Sequence, residues 1–236
     1  MNGIAPLALE KPSSMLGFST HSLILVFLCL GWTCPTSESL MPNLCRVGIQ
    51  GGPGSFNDSA LRQYIVQNPE LEFQVRFLNS TGEVFEALKE GQVEYGQFAL
   101  FNSNAGFYEE SLAEVGRHKF TVETSYSYPI VHCLMKRQGT STDAISTIMS
   151  HREVFKQCRA KLKLKYPRVR LIEGTAALAD PSRVGEALAQ GVLPATTAVV
   201  SNGLIAELHD LEVVDTGLQD AGDNVSTFLL ISDFKS

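Results

Sequence analysis

The chain has 236 residues, 44% hydrophobic and 19% charged, which is enough to bury a sizeable core and typical of a soluble globular protein of one or two small domains. Lys and Arg total 19 against 25 Asp and Glu, a formal net charge of −6; this argues against a duplex nucleic-acid binder needing a basic stripe and makes a small-molecule site the default. The five cysteines (Cys29, Cys34, Cys45, Cys133 and Cys158) contain no C-x-x-C pair, so neither a disulfide framework nor a structural zinc site is indicated, and the thiols are read as buried or idle.

The first forty residues carry only Glu10, Lys11 and Glu38 as charges, and Leu23 to Thr33 (LILVFLCLGWT) is uncharged and apolar. That run is shorter than the roughly 20 residues a spanning helix needs and reads as the core of a signal peptide, although its upstream charge is balanced and no clean small-x-small cleavage site follows. The competing reading starts translation at Met41, where MPNLCRVGIQGG opens as a domain would. The first gives an exported or periplasmic product and the second a cytoplasmic one; the second is preferred. N-x-S/T triplets at Asn57, Asn79 and Asn224 add to that preference, since two lie on segments expected to line the site, where glycans would block it.

From Arg46 onward, short apolar runs alternate with amphipathic stretches, the pattern of β-α units and a mainly parallel sheet. RVGIQ (46–50) is a strand, GGPG a tight turn, and 55–66 a helix capped by Ser55. EFQVRF (72–77) is the next strand; Ser80 or Thr81 caps a helix over 82–90 with Val84, Phe85 and Leu88 on its apolar face, and YGQFALF (95–101) is strand three. NSNAG (102–106) is a polar turn before a helix near 107–115. The extended stretch 120–135, with Pro129 inside it, is too long for one ordinary strand and suits a crossover between two lobes. A second series follows: a strand at 144–150, a helix over 152–165 carrying KLKLK (161–165) on a solvated face, a strand at 169–173, a helix starting near Thr175, strands at 197–201 and 211–215 around a helix to His209, and STFLLIS (226–232).

VGIQGGPGSFNDSA (47–60) is a strand, a Gly/Pro turn and a hydroxyl at a helix start, where free backbone N–H groups favour an anion. It lacks a P-loop ending, and Pro53 interrupts the dinucleotide-binding glycine pattern. It resembles the Q-G-x-P-G-[AS]-[YF]-S opening of the prephenate and arogenate dehydratase family, with Asn57 in place of the last Ser. Further similarities come in the family's order: LFNSNAG (100–106), YPIVHCLM (128–135), SHREVFKQC (150–158), EGTAALA (173–179), AVVSNGLIAELHDLEVV (198–214) and LQDAGDNVSTFLLI (218–231). The resemblance covers about residues 45–236.

The resemblance implies an α/β fold of two lobes, periplasmic-binding-protein type II-like, with mainly parallel sheets and an inter-lobe cleft. Residues 1–44 form a signal-like or non-domain extension, lobe one takes about 45–128 plus 215–236, and lobe two about 129–214. The implied activity is the decarboxylative dehydration of prephenate to phenylpyruvate, or the same reaction of arogenate, in phenylalanine biosynthesis, through an altered site. The family's Thr-Arg-Phe falls on Ser226, Thr227 and Phe228, and its Glu before Asn-Ser on Phe101. Ser226 keeps the hydroxyl that would hydrogen-bond the departing oxygen; Thr227 cannot imitate a bidentate carboxylate clamp, so restoring Arg there is expected to raise turnover. The catalytic positions are thus Ser226 and Thr227, and the substrate-binding positions Ser55, Asn102, Ser103, Thr175 and Phe228, with helix starts at Ser55 and Thr175 supplying partial positive charge.

His132 and His151 are read as satisfied structural histidines, and no metal-ligand spacing is present. Neither a cofactor nor a metal is expected; the partner is a small-molecule substrate, no nucleic acid is involved, and a homodimer is left open. The chain stops eight residues after Phe228, so inhibition by phenylalanine through a separate domain is not expected. Two rival functions stand beside the dehydratase: a non-aromatising prephenate decarboxylase, and a carboxylate-binding module without chemistry, which the altered motif and the export-signal reading favour.

Overall fold

The computed structural model describes residues 44–233. The apolar segment 23–33, Met41, Cys29 and Cys34 lie outside the described residues.

Lobe one begins with β1 (Cys45–Gln50), α1 (Phe56–Gln67), β2 (Phe73–Leu78), α2 (Thr81–Lys89) and β3 (Tyr95–Asn102). The turn after β1 needs a left-handed backbone at Gly51 and Gly54 (φ 93° and 81°), which glycine adopts without strain. Ser55 then caps α1 by accepting from the Asp58 N–H at 3.2 Å. Ser80 caps α2 by accepting from the Glu83 N–H at 3.1 Å, while Glu83 reaches back to the Asn79 N–H at 2.9 Å. Val84, Phe85 and Leu88 bury against Phe98 and Ile231, fixing α2 on its sheet. There follow the short β4 (Gly106–Phe107), α3 (Glu109–Arg117) and β5 (Phe120–Pro129).

Lobe two contains β6 (His132–Arg137), β7 (Thr147–Ser150), α4 (Arg152–Lys165), β8 (Arg170–Glu173), α5 (Pro181–Ala189), β9 (Thr197–Asn202), α6 (Leu204–His209) and β10 (Leu211–Asp215); β11 (Val225–Asp233) then returns to lobe one. The first sheet has the order β2-β1-β3-β11-β5 with β4 on β3, and the second β10-β6-β9-β7-β8. The two-lobed α/β architecture is therefore the expected one. The sheets are mixed rather than mainly parallel: β1 runs parallel to β2 and β3, and β7 to β8 and β9. By contrast β11 is antiparallel to β3 and β5, and β6 to β9 and β10. Apart from the short β4, antiparallel to β3, the antiparallel strands are those that cross or flank the lobe boundary, where no β-α-β unit dictates direction.

The extended segment 120–135 divides at Ile130 and Val131 into strands of different sheets. The return connection runs beside it, with the Ile130 N–H donating to Asn224 O at 2.8 Å and the Leu218 N–H to His132 O at 3.0 Å. Each lobe has its own core, Leu134, Ile148, Phe155, Leu162 and Val200 being central to one layer of lobe two.

Three local expectations are corrected. The strand expected over 144–150 is only Thr147–Ser150, preceded by a 3-10 turn at Thr142–Ala144. No α-helix starts at Thr175: a 3-10 turn, Ala176–Ala179, intervenes, and α5 begins at Pro181, where proline suits the first helical position and Asp180 supplies the cap. Within KLKLK, Leu162 is fully buried while Leu164 is 82% exposed, because a helix turns each alternate leucine through about 200°.

Candidate functional site

A cleft of about 1020 Å³ lies between the lobes, walled by the turn after β1, the start of α1, β3, β11, β6 and the starts of α4 and α5. Asn202 at the end of β9 joins the lobes beside it, donating to Ser55 O at 3.0 Å and Ser59 Oγ at 2.7 Å.

Ser226 is central. It is 1% exposed and lines the cleft. Its oxygen accepts from Asn102 Nδ2 at 3.0 Å, and the Tyr108 hydroxyl stands 3.4 Å away. Register explains the meeting, since Ser226 pairs with Asn102 across β11 and β3. Asn102 Oδ1 accepts the backbone N–H groups of Asn104 and Ala105 at 3.0 and 2.9 Å. These obligatory donors fix the amide so that Nδ2 faces Ser226 and also Asn224 Oδ1, at 2.7 Å.

The polarity propagates. Asn224 Nδ2 must then donate to Gln157 Oε1, at 2.7 Å, and the same oxygen faces His132 Nε2 at 3.1 Å. A carbonyl oxygen only accepts, so His132 carries its proton on Nε2. Nδ1 is consequently the bare nitrogen, and it is a buried atom with no hydrogen-bond partner among the described residues. Burial lowers the His132 pKa against a smaller opposing effect of the Gln157 hydrogen bond, which keeps the ring neutral. The site thus holds a hydroxyl whose oxygen accepts an amide N–H and whose proton is left for a ligand or for the Tyr108 oxygen, and a neutral histidine with one unused lone pair. Both are oriented from the same two backbone amides.

The anticipated residues divide. Ser55, Ser226 and Phe228 line the cleft, and Asn102 stands behind Ser226. Ser103 does not line it: its hydroxyl donates to Asp223 O at 2.9 Å and accepts from the Val225 N–H at 3.0 Å, holding the loop before β11. Thr175 makes no capping hydrogen bond; Ala177 and Ala179, just beyond it, are on the wall instead. Thr227 faces away, as strand alternation requires of the residue between Ser226 and Phe228. It pairs with Phe101 and Ser127, and the Phe101 ring packs edge-on against Phe107 at 5.1 Å. The two positions where family charges are missing are therefore register partners of each other and are not on the cleft wall, so an Arg at 227 has no direct route to a cleft ligand.

The helix starts also differ from expectation. Asp58, 1% exposed, accepts from the Gly54 N–H at 2.9 Å and pairs with Arg62 at 2.7 Å. With the Asp58 N–H taken by Ser55 Oγ, the α1 start is already partly served by resident acceptors. His151 is the N-cap of α4, its Nδ1 accepting from the Glu153 N–H at 3.1 Å.

Gln157, Tyr108 and Asp180 were not singled out from sequence; His132 was read there as a satisfied structural histidine and Asn224 only as part of an N-x-S/T triplet. Gln157 and Asn224 sit inside two of the matching motifs, and that was the available signal. Asn224 is 4% exposed and uses its amide in this network, so its triplet is no glycan acceptor in the folded chain. Cys133 and Cys158 are buried, and burial pushes the Cys158 thiol up to about 12, consistent with packing roles. Among the described residues no helix is long and apolar enough to cross a membrane.

Fold and cleft define a two-lobed α/β protein with a cavity of small-molecule size between its lobes. The sequence profile described as prephenate dehydratase matches residues 47–236, and the chain belongs to that family. Over 190 residues it is 26% identical to arogenate dehydratase 5, chloroplastic, of Arabidopsis thaliana, covering 79% of this chain and 42% of the relative. It is 25% identical to a bifunctional chorismate mutase/prephenate dehydratase of Pseudomonas aeruginosa, covering 79% and 48%. The chain therefore spans less than half the length of these relatives. A prephenate dehydratase from Arthrobacter aurescens, solved in complex with L-Phe, superposes with a TM-score of 0.69 at 20% identity, covering 81% of this chain and 61% of that one.

Proposed function

We propose that the chain catalyses the decarboxylative dehydration of prephenate or arogenate. The ring carboxylate leaves as CO2, its bonding electron pair closes the aromatic ring, and the ring C–O bond breaks as the departing hydroxide takes a proton to become water. Catalysis then requires a donor to the departing oxygen, preorganised so that no reorientation is needed as charge develops.

One observation carries the reading: the Ser226 hydroxyl on the cleft wall, its oxygen accepting from Asn102 Nδ2 at 3.0 Å. An N–H donated to that oxygen polarises the O–H and leaves its proton for the leaving group. Removing such a donor costs roughly 10²- to 10³-fold in turnover.

The test follows substrate loss, CO2 and aromatic product from prephenate and from arogenate, with Ser226→Ala beside the parent. Aromatic product from the parent and its loss in the variant support the proposal; an unchanged rate in Ser226→Ala overturns the role of the hydroxyl. A second reading, a binding module without chemistry, is favoured by one feature of the cleft: Arg183, the guanidinium on its wall, is paired with Glu186 at 2.8 Å. Binding of either compound with no turnover selects that reading, and CO2 without aromatic product selects a decarboxylase.

A further inference from the structure

The resident charges of the cleft are opposite to what a dianion needs. Among the described residues, Glu153, Asp180 and Glu186 line it against one guanidinium, Arg183. Glu186 is paired with Arg183 and Glu153 with Lys156, both at 2.8 Å. Asp180 forms no such pair among the described residues; Arg183 feels it only as a smaller attraction after Glu186. Its Oδ1 accepts from the Ser182 N–H at 2.9 Å and so occupies the start of α5. Its Oδ2 faces across the cleft, 2.9 Å from where a β-carbon on Gly52 would stand. Of the helices opening on the cleft, α1, α4 and α5 all have first-turn N–H groups taken by side chains of this chain, Ser55, His151 and Asp180. An incoming carboxylate therefore meets helix starts already partly occupied by this chain's own side chains, and a carboxylate at Asp180. That the cleft is built for a polar ligand rests on a separate observation: His132, 1% exposed, lines it with Nδ1 unpartnered among the described residues.

We propose that Asp180 determines specificity by receiving an ammonium group, so that the cleft holds the 2-amino-acid form of a ligand in preference to the 2-keto-acid form. This rests on the reading that the ligand binds in the inter-lobe cleft, and it adds which substrate class that cleft selects. A keto acid with a second carboxylate brings two negative charges and no positive one, whereas the amino acid brings an ammonium to the carboxylate oxygen that faces Gly52. A charge-assisted contact in such a part-desolvated position corresponds to about tenfold in affinity after screening.

The experiment measures binding rather than turnover. L-phenylalanine and phenylpyruvate differ in the 2-amino against the 2-keto group and undergo no dehydration, so calorimetric titration of the intact chain with each reads the preference directly. Phenylalanine is expected to bind roughly tenfold more tightly, and Asp180→Asn to bring the two within about twofold. Asn is as good an N-cap as Asp, so the variant keeps the start of α5 and the fold. Glu153→Gln, whose parent carboxylate is already paired with Lys156, keeps the preference. Equal or tighter binding of phenylpyruvate by the parent, a preference unchanged in Asp180→Asn, or binding of neither compound overturns the proposal. A chain that shows the preference and yet converts neither prephenate nor arogenate overturns the dehydratase reading and leaves the role of Asp180 standing. A chain that converts both with no binding preference overturns the role of Asp180 alone.

Discussion

Reversing one amide should reverse a proton on a ring three residues along the network. In the parent, the backbone N–H groups of Asn104 and Ala105 hold Asn102 Oδ1, and the donor-to-acceptor order runs from there through Asn224 and Gln157 to His132 Nε2. The other tautomer would set the Nε2 lone pair against Gln157 Oε1. Leaving that buried contact without a hydrogen costs about 2 kcal/mol, a preference of roughly 30-fold for Nε2–H. Asn102→Asp keeps the acceptor that the two backbone amides need and replaces the donor by a second acceptor. Asn224 then satisfies the carboxylate only by turning its NH2 toward it, which presents Oδ1 to Gln157. Gln157 turns its NH2 toward both Asn224 and His132, and His132 must move its proton to Nδ1. The same carboxylate accepts the Ser226 O–H, so turnover falls with the tautomer change. Asn102 is fully buried, and placing a carboxylate there is expected to cost about 2 to 4 kcal/mol, lowering Tm by roughly 5 to 15 °C for a chain of this size. Long-range proton–nitrogen correlation NMR of the imidazole distinguishes the protonated from the bare ring nitrogen. A parent protein with its proton on Nδ1, or a folded Asn102→Asp variant with the proton still on Nε2, refutes the argument.

Three further outcomes follow from the same geometry. Thr227→Arg, expected from the motif alone to raise turnover, should leave it within about twofold, because strand alternation turns residue 227 away from the cleft wall, where it pairs with Phe101 and Ser127; a steady-state assay showing a tenfold rise would place its side chain in the cleft after all. His132 should make stability pH-dependent: its folded pKa lies below its unfolded value, so the unfolded chain binds the extra proton and stability falls as pH drops through about 6.5 toward the folded value, a decline that denaturant titrations should find flattened in His132→Gln. Gly174→Ala should destabilise by about 2 kcal/mol or more, since its β-carbon would sit 1.8 Å from the backbone oxygen of Leu178, and thermal melts within 1 °C of the parent would contradict that close approach.

Much of this protein is written in short-range sequence. The caps at Ser55 and Ser80, the apolar face of Val84, Phe85 and Leu88, the alternation that buries Ser226 and Phe228 together, and the crossing of the chain near Pro129 all depend on neighbours within a few residues. Each follows from helix or strand period and turn chemistry. Ser226 itself was legible as the bearer of the hydroxyl, because a motif keeps its order along the chain. What sequence could not decide was everything whose partner lies far away. Thr227 looked like the weak half of a clamp until β11 paired with β3 and β5 and turned it away from the cleft. Thr175 looked like a helix start until Asp180 and Pro181, five and six residues on, took that role. His132 looked satisfied until a network spanning 122 residues between Asn102 and Asn224 fixed its proton on Nε2 and left Nδ1 bare. Hydrogen-bond polarity is a property of closed spatial chains, and an amide's two ends are indistinguishable in sequence. Only the folded chain, by anchoring one such amide to two backbone N–H groups, decides which way every later one points.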